Sequence, residues 1–190
     1  MDQRDNILDA ALKHFAAHGY RRATLEGMAA EVGLGTTALY YYFKSKMDLF
    51  KALGEREGAG ILAELEAAVE KETNPGRQLR AFCLVRFRLL GEKFEVMQIS
   101  ERVHREIMDL SQKIQMSVFQ REAAILDKII RQGIQAGVFK KVDVPLLVAL
   151  IQQTFRYLNA PGGFFSGRKE LEKRMDFALD ILLHGLEARV

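Results

Sequence analysis

Apolar residues recur at helical spacing along almost the whole chain, and this periodicity most limits what it can fold into. Near the N-terminus, Ile7, Ala11 and Phe15 fall on one side of a helix at i, i+4 and i+8. No segment alternates apolar and polar residues with the two-residue period of a half-buried strand. The chain has three prolines and is rich in the good helix formers Ala, Leu, Glu, Lys, Arg and Gln. The sequence therefore predicts an all-α protein.

Start and stop signals divide this pattern into about nine helices. The positions that begin or end a helix are Gly19, Thr24, Gly33, Ser45, Asn74-Pro75-Gly76, Gly137 and Asp143-Val144-Pro145. Two helices are expected within 94–136, one from the proline at 145 to about 158, and a last one over 168–186. We divide the chain into a small N-terminal domain of residues 1–50 and a larger domain of residues 51–190.

The short helix predicted from Thr36 to about Phe43 has two different sides. At about 100° per residue, Leu39 and Phe43 fall together, on a side suited to packing against the first two helices. The side chains on the opposite arc are Thr37, Ala38, Tyr41 and Tyr42, with Tyr40 beside them. Three consecutive aromatic residues cannot all face one core, so this arc is expected to meet a partner.

Two short helices around a glycine turn, braced by a third, are typical of a helix-turn-helix. Threonine can bond a base edge or a phosphate, alanine can touch a thymine methyl group, and a tyrosine hydroxyl can reach a phosphate. Lys46, in the first turn of the next helix, places an ammonium beside free backbone N–H groups, where a phosphate can bind. Lys and Arg balance Asp and Glu within residues 1–50, so any DNA contact depends on where the charges lie.

An ordered set of residues in this region resembles the N-terminal domain of the TetR/AcrR repressor family. The matching positions are Ile7-Leu8-Asp9-Ala10-Ala11, Phe15, Gly19-Tyr20, Thr24, Met28-Ala29, Val32-Gly33, Leu39 to Lys46, and Asp48-Leu49-Phe50. The resemblance covers about residues 5–52. It implies a bacterial repressor that binds palindromic double-stranded operator DNA as a homodimer.

The resemblance also implies a role for each DNA-facing residue. Thr36 and Thr37 would face bases, while Thr24, Tyr41, Tyr42 and Lys46 would hold phosphates. Together with Ala38, Tyr40 and Lys44, these residues form the predicted DNA-binding set. The chain has Gly35 where the family usually has a capping serine, and Thr36 where it commonly has Lys or Arg, so the family's operator sequence does not carry over.

The two C-terminal helices each spread apolar residues over about 200° of arc, wider than the stripe of ~100° that one core requires. Each is therefore expected to face two neighbours, one of them in another subunit, and the family resemblance implies the same four-helix interface. The predicted interface residues are Leu147, Leu150, Ile151, Phe155, Leu179, Leu182 and Leu186. The alternative is a fully internal helix.

Arg86 interrupts the apolar face that Leu79, Phe82 and Cys83 define on the predicted fifth helix. An arginine there needs a carboxylate, a cluster of carbonyls or an anionic ligand, unless it reaches water. The candidate internal partners are Glu101, Glu106 and Glu122. The candidate ligand-binding residues are Arg86, Met97, His104 and Tyr157. The overall layout of the predicted helices five to eight, which include residues 98–102 and 125–130, resembles that of family members that respond to fatty acyl-CoA.

Several classes of function have no support in the sequence. It contains no nucleophile elbow, phosphate loop or HExxH motif, so we expect no enzyme and no cofactor. His104 and His184 lack a second ligand at metal spacing, which disfavours a metal site. The lone Cys83, the absence of a long apolar run and the charged N-terminus favour the bacterial cytoplasm and nucleoid over membrane or secretion.

The prediction is a DNA-binding repressor released by a small, largely apolar, fatty-acyl-like effector. The alternative is a helix-turn-helix protein without such an inducer, controlled by protein partners or by its abundance.

Overall fold

The computed structural model describes residues 2–97, 101–158 and 168–188, and their side chains except within 90–115 and 157–174. The described residues form eight helices and no named strand. The helices are α1 (Gln3–Arg22), α2 (Leu25–Glu31), α3 (Thr36–Tyr42), α4 (Lys46–Glu70), α5 (Pro75–Met97), α6 (Glu101–Gln135), α7 (Val144–Leu158) and α8 (Arg168–Leu186). The all-α prediction is confirmed.

The number of helices differs from the prediction at one place. We expected two helices within 94–136, whereas α6 runs without a break from Glu101 to Gln135. This segment contains no proline, and its one glycine, Gly133, lies in the last turn. Without a residue that interrupts the backbone hydrogen bonds, the helix continues.

The other predicted breaks coincide with observed caps. Gly19 has a φ of 79° near the end of α1, and Gly137 has a φ of 70° just after α6; both angles lie in the left-handed region that glycine tolerates. The side chains of Asn74 and Asp143 accept hydrogen bonds from backbone N–H groups in the first turns of α5 and α7. Short polar side chains at these positions are typical of helix N-termini.

The described chain divides into two compact units, one of residues 1–59 and 93–116, the other of residues 60–92 and 117–190. In the first unit, α1, α2, α3 and the start of α4 share an apolar core. Its fully buried side chains include Ile7, Leu8, Ala11, Met28, Leu39 and Leu49. The predicted domain boundary near residue 50 stays a prediction.

The second unit has its own apolar core, to which the last turns of α4 and helices α5, α6, α7 and α8 contribute. The most deeply buried members are Leu65, Leu79, Phe82, Leu126, Ile129 and Ile130. Cys83 lies in this core, and burial raises the pKa of its thiol to about 12. Phe139 and Glu187 form an isolated antiparallel bridge between the segment after α6 and the end of α8.

Candidate nucleic-acid interface

Thr24 is the N-cap of helix α2, and its hydroxyl oxygen accepts a hydrogen bond from the Gly27 N–H at 3.1 Å. The predicted N-cap is therefore present. The turn after α2 contains Gly33 with a φ of 70°, and the Leu34 N–H donates to the Ala29 carbonyl at 2.8 Å. This turn brings α3 back onto the core that α1 and α2 share, which is the arrangement of a helix-turn-helix.

The N-cap of helix α3 is Gly35, which has extended backbone angles and no side chain to cap the helix. Leu39 is fully buried and Phe43 nearly so, as the helical projection predicts. Above them, Thr37, Ala38 and Tyr41 are exposed, with Tyr41 87% exposed. An exposed tyrosine of this kind has its ring and hydroxyl free to meet a polyanion.

The flanks of α3 extend this surface. Tyr40 and Tyr42 are also exposed, and the Tyr42 ring meets the Tyr41 ring edge-on, with centroids 5.5 Å apart. Thr36 is half-buried, Thr24 is exposed, and so is Lys44 just beyond the helix. All nine predicted DNA-binding residues therefore lie in or next to one helix-turn-helix with their side chains at least partly accessible, including Lys46, which is half-buried.

Lys46 does more than the sequence indicates. Its Nζ donates to the backbone carbonyls of Arg21 at 3.3 Å and Ala23 at 3.0 Å, and lies 4.7 Å from the centre of the Tyr20 ring. The ammonium thus satisfies carbonyls at the end of α1, and two of its three N–H groups are used there. The predicted phosphate contact would use the third.

The N-terminus of α4 is capped from both directions. The Ser45 hydroxyl accepts from the Asp48 N–H at 3.0 Å, and the Asp48 carboxylate accepts from the Lys44 N–H at 3.2 Å. Together these bonds resemble a capping box, except that the acid bonds the N–H of the residue before the cap. This bond fixes the backbone at Lys44, directly after α3.

Sequence reasoning missed a polar brace between α1 and α2. His14 Nε2 lies 2.9 Å from a carboxylate oxygen of Glu31, and Lys13 Nζ lies 3.4 Å from the other oxygen. A Cβ at Gly27 would lie 2.9 Å from the His14 ring, so glycine gives the ring its room. The signal in the sequence, a histidine and an acid 17 residues apart, is too common to be informative.

Arg86 of α5 is paired inside the second unit. Its Nε lies 2.6 Å from Oε1 of Glu122 on α6, and the two side chains are 6% and 2% exposed. The internal ion pair was one of the readings left open, and Glu122 was one of three candidate partners. Burial raises the pKa of Glu122, although the Arg86 charge opposes that rise. The other predicted ligand-binding residues, Met97, His104 and Tyr157, have side chains outside the described residues.

The predicted dimer-interface residues do not share one face. Leu150 is 58% exposed and Leu182 is half-buried, whereas the remaining five are buried in the core of their own chain: Leu147, Ile151, Phe155, Leu179 and Leu186. Their assignment to an interface is therefore corrected. Both faces of these helices are apolar, and the sequence alone does not show which face meets the chain's own core.

The exposed apolar side chains of α7 and α8 form an i, i+4 pair on each helix. These side chains are Leu146, Leu150, Phe177 and Ile181, each more than half exposed. We call them the apolar α7/α8 surface. Beside it, Arg80 of α5 reaches Asp176 and Asp180 of α8 at 3.3 and 2.6 Å. Large exposed apolar side chains with ion pairs beside them are typical of surfaces that meet another protein.

A solvent-open groove of about 440 Å³ lies between α6 and α7. Its lining is small and apolar with three polar side chains: Gln120, Ala123, Ala124, Asp127, Pro145, Val148, Ala149 and Gln152. Within the part of the chain that the structure describes, no three His, Cys, Asp or Glu residues are grouped as a metal site. The helices searched there also include none with the length and apolar character needed to cross a bilayer.

Comparison with known proteins places this geometry in context. Residues 7–53 match the sequence model of a family described as bacterial regulatory proteins, tetR family. Over 147 residues the chain is 26% identical to the fatty acid metabolism regulator protein of Bacillus subtilis strain 168, covering 76% of this chain and 75% of that one.

Two solved structures share the fold. The fatty acid degradation regulator FadR from Bacillus halodurans superposes with a TM-score of 0.78 at 22% identity, covering 100% of this chain and 98% of that one. FadR from Bacillus subtilis, solved in complex with stearoyl-CoA, superposes with a TM-score of 0.76 at 24% identity, covering 95% of this chain and 98% of that one. The chain therefore shares the fold of these two structures.

Proposed function

We propose that the chain is a transcriptional regulator of the TetR family, a homodimeric repressor that a fatty-acyl ligand releases from palindromic operator DNA. The observation that carries the DNA-binding part is the exposed arc of α3. Thr37, Ala38 and Tyr41 point away from a core that Leu39 and Phe43 anchor from the other side of the same helix.

The proposed contacts follow from the chemistry of each residue. Thr36, Thr37 and Ala38 begin the recognition helix, where side chains reach base edges. Tyr40, Tyr41, Tyr42 and Thr24 offer hydroxyls to phosphates, and Lys44 and Lys46 offer ammonium groups. With few cations at the start of α3, base reading would depend on hydroxyl and methyl contacts more than on bidentate guanine contacts.

Dimerisation through the apolar α7/α8 surface would supply the second recognition helix. Two major-groove readers on one face of DNA need a spacing of about 34–36 Å. Four large apolar side chains exposed on two helices cost solubility unless a partner covers them. A second copy of the same surface offers the matching apolar strip, since a two-fold interface is self-complementary.

The acyl part of the proposal is supported by similarity. The relative from Bacillus subtilis is named as a fatty acid metabolism regulator, and one structure of the same fold contains stearoyl-CoA. A ligand that binds one packing of the second unit better than another lowers DNA affinity by the ratio of its two affinities. We expect the protein to act in the bacterial cytoplasm, at the nucleoid, without catalysis.

Selection followed by titration tests the proposal. Bound sequences would be selected from a pool of random 30-bp duplexes, and the enriched duplex compared with a scrambled one by fluorescence anisotropy. We expect a palindromic site, at least ~10³-fold preference over the scrambled duplex, and loss of binding when stearoyl-CoA is added.

The outcomes separate the parts of the proposal. No enriched sequence would contradict specific DNA binding. A palindrome bound equally well with and without stearoyl-CoA would favour the alternative, a DNA-binding protein without this inducer. Two controls separate the parts of the ligand: palmitate tests a fatty-acyl chain alone, and free coenzyme A tests the nucleotide part alone.

A further inference from the structure

Arg86 and Glu122 are the two charged side chains that the described residues bury completely within a core. They lie in the second unit among apolar neighbours on α5, α6 and α7 such as Phe82, Leu126 and Phe155. The regulatory function proposed above assigns no task to them.

The pair is a poor source of stability. Two charges leave water when it forms, and their attraction in a core seldom repays that loss. Although Nε and Oε1 are only 2.6 Å apart, neither atom has a well-aligned hydrogen bond. The pKa of Glu122 is raised by burial despite the neighbouring guanidinium. Apolar side chains of similar volume would hold these helices at least as firmly.

What the pair supplies is positional selectivity. Arg86 lies on α5, Glu122 on α6, and the guanidinium carbon of Arg86 lies 5.8 Å from the centre of the Phe155 ring on α7. A shift of one helical turn between α5 and α6, about 5.4 Å, would leave two unpaired charges in an apolar core. Aliphatic contacts such as Leu79 or Ile130 tolerate a shifted packing far better, because dispersion forces have no direction.

We infer that Arg86 and Glu122 are positioning residues that select one packing of α5, α6 and α7, at a cost in stability, and that the effector response works through this selected packing. The inference rests on the proposed function for its link to the effector. Removing both charges should leave a stable unit with a less unique packing. The response to the ligand should then weaken, because the DNA-binding state and the ligand-bound state would no longer differ by one defined packing of these helices.

The test replaces both residues by apolar ones of similar size, in Arg86→Met/Glu122→Leu. The control removes an exposed pair between α5 and α4, Arg88→Met/Glu64→Leu; in the native chain Arg88 Nη2 lies 2.8 Å from Glu64 Oε2. Melting temperature, backbone amide exchange in α5 and α6 without ligand, and operator affinity with and without stearoyl-CoA are measured for all three proteins.

We expect the core variant to melt at or above the native protein, to exchange its α5 and α6 amides faster, and to lose at least ~5-fold of the stearoyl-CoA effect on operator affinity. The control should match the native protein in all three. A melting temperature about 10 °C lower would instead make the pair a stabilising element and overturn the inference. Native exchange rates with a native ligand response would overturn it as well.

The experiment also separates this inference from the proposed function. If the native protein does not respond to stearoyl-CoA, the acyl proposal fails while melting and exchange still test the positioning role. Faster exchange in an equally stable core variant would uphold that role, and unchanged exchange would end it.

Discussion

The Nζ of Lys46 donates a hydrogen bond to the backbone carbonyl of Ala23 at 3.0 Å, so the first residue of α4 holds the end of α1. The same lysine was expected to contact a phosphate. Both roles are compatible, because an ammonium has three N–H groups. A substitution at this position therefore changes the stability of the helix-turn-helix as well as its charge.

We expect Lys46→Ala to lower the free energy of unfolding by about 1–2 kcal/mol, since it removes two charged hydrogen bonds and a contact with the Tyr20 ring. Lys44→Ala, in which an exposed lysine is removed, should leave stability unchanged. Both should reduce the slope of log K against log salt by about one if each contacts a phosphate. Thermal melts and anisotropy titrations at two salt concentrations measure this. A Lys46→Ala protein with native stability would contradict the bracing role.

Thr37→Ala and Tyr42→Ala are expected to affect DNA binding differently, because Thr37 is proposed to contact a base and Tyr42 a phosphate. Loss of a base contact should change the preference among operator variants by about 1–3 kcal/mol at one position, whereas loss of a phosphate contact should weaken all sequences alike. Competition titrations with a set of single-base operator variants distinguish them. If both substitutions weaken every sequence to the same degree, Thr37 does not read a base.

Charge on the apolar α7/α8 surface should abolish the dimer. Leu150→Glu with Ile181→Glu places a carboxylate on each helix, and like charges meet across a two-fold interface. We expect a folded monomer by light scattering, with operator affinity reduced at least ~100-fold. Leu84→Glu, an exposed apolar position on α5, is the control and should remain a dimer. A dimeric double variant would move the interface elsewhere.

Arg86→Met alone should destabilise the protein in a pH-dependent way. Glu122 would stay buried without its cation, at a cost of ~3 kcal/mol near pH 8. A carboxyl whose pKa is raised on folding stabilises the folded state below its unfolded pKa, and loses that contribution as pH rises through the folded pKa. Burial already raises the Glu122 pKa, and removing Arg86 raises it further. The stability that Arg86→Met loses relative to the native protein should therefore become smaller as the pH falls toward about 5.

The control for this prediction is Arg86→Met/Glu122→Gln, which has no titrating carboxyl at the site. This double variant should also be less stable than the native protein, but its loss of stability should not shrink at low pH as that of Arg86→Met does. Denaturant unfolding at pH 5, 6.5 and 8 gives the comparison. Parallel pH profiles for the two variants would show that Glu122 does not titrate in this range.

Gly133→Ala should destabilise the second unit because a Cβ there would overlap the ring of Phe139, which is buried against α6. Overpacking of this kind costs about 1–3 kcal/mol, more than the helix propensity gained. Gly60→Ala in α4 meets no neighbour within 4 Å, so it should be neutral or stabilising by up to ~1 kcal/mol. Equal melting temperatures for the two variants would mean that Phe139 moves aside freely.

Much of the fold could be predicted because local chemistry determines it. Thr24, Ser45, Asn74 and Asp143 cap helices where their short polar side chains predict caps, and Gly19 and Gly137 take the positive φ values that their positions require. The two sides of α3 follow from its 100° period alone. In each of these features the interacting residues are only a few positions apart, so the interaction can be predicted from the local sequence.

Other features depended on contacts between distant residues. The partner of Arg86 is 36 positions away, and three acids were equally eligible until the packing of α5 against α6 selected Glu122. The second role of Lys46 and the His14–Glu31 brace likewise join helices that only the tertiary fold brings together.

Helices α7 and α8 show most clearly what the sequence determines and what the tertiary structure decides. The sequence by itself determined that both helices are apolar on two sides, because hydrophobic periodicity is a property of each helix. Only the tertiary structure decided that Leu147, Ile151 and Leu179 face the chain's own core while Leu150 and Ile181 face outward. Burial of an apolar side chain releases similar free energy on either side, so the choice of face is made by the packing of the whole unit and not by the residues themselves.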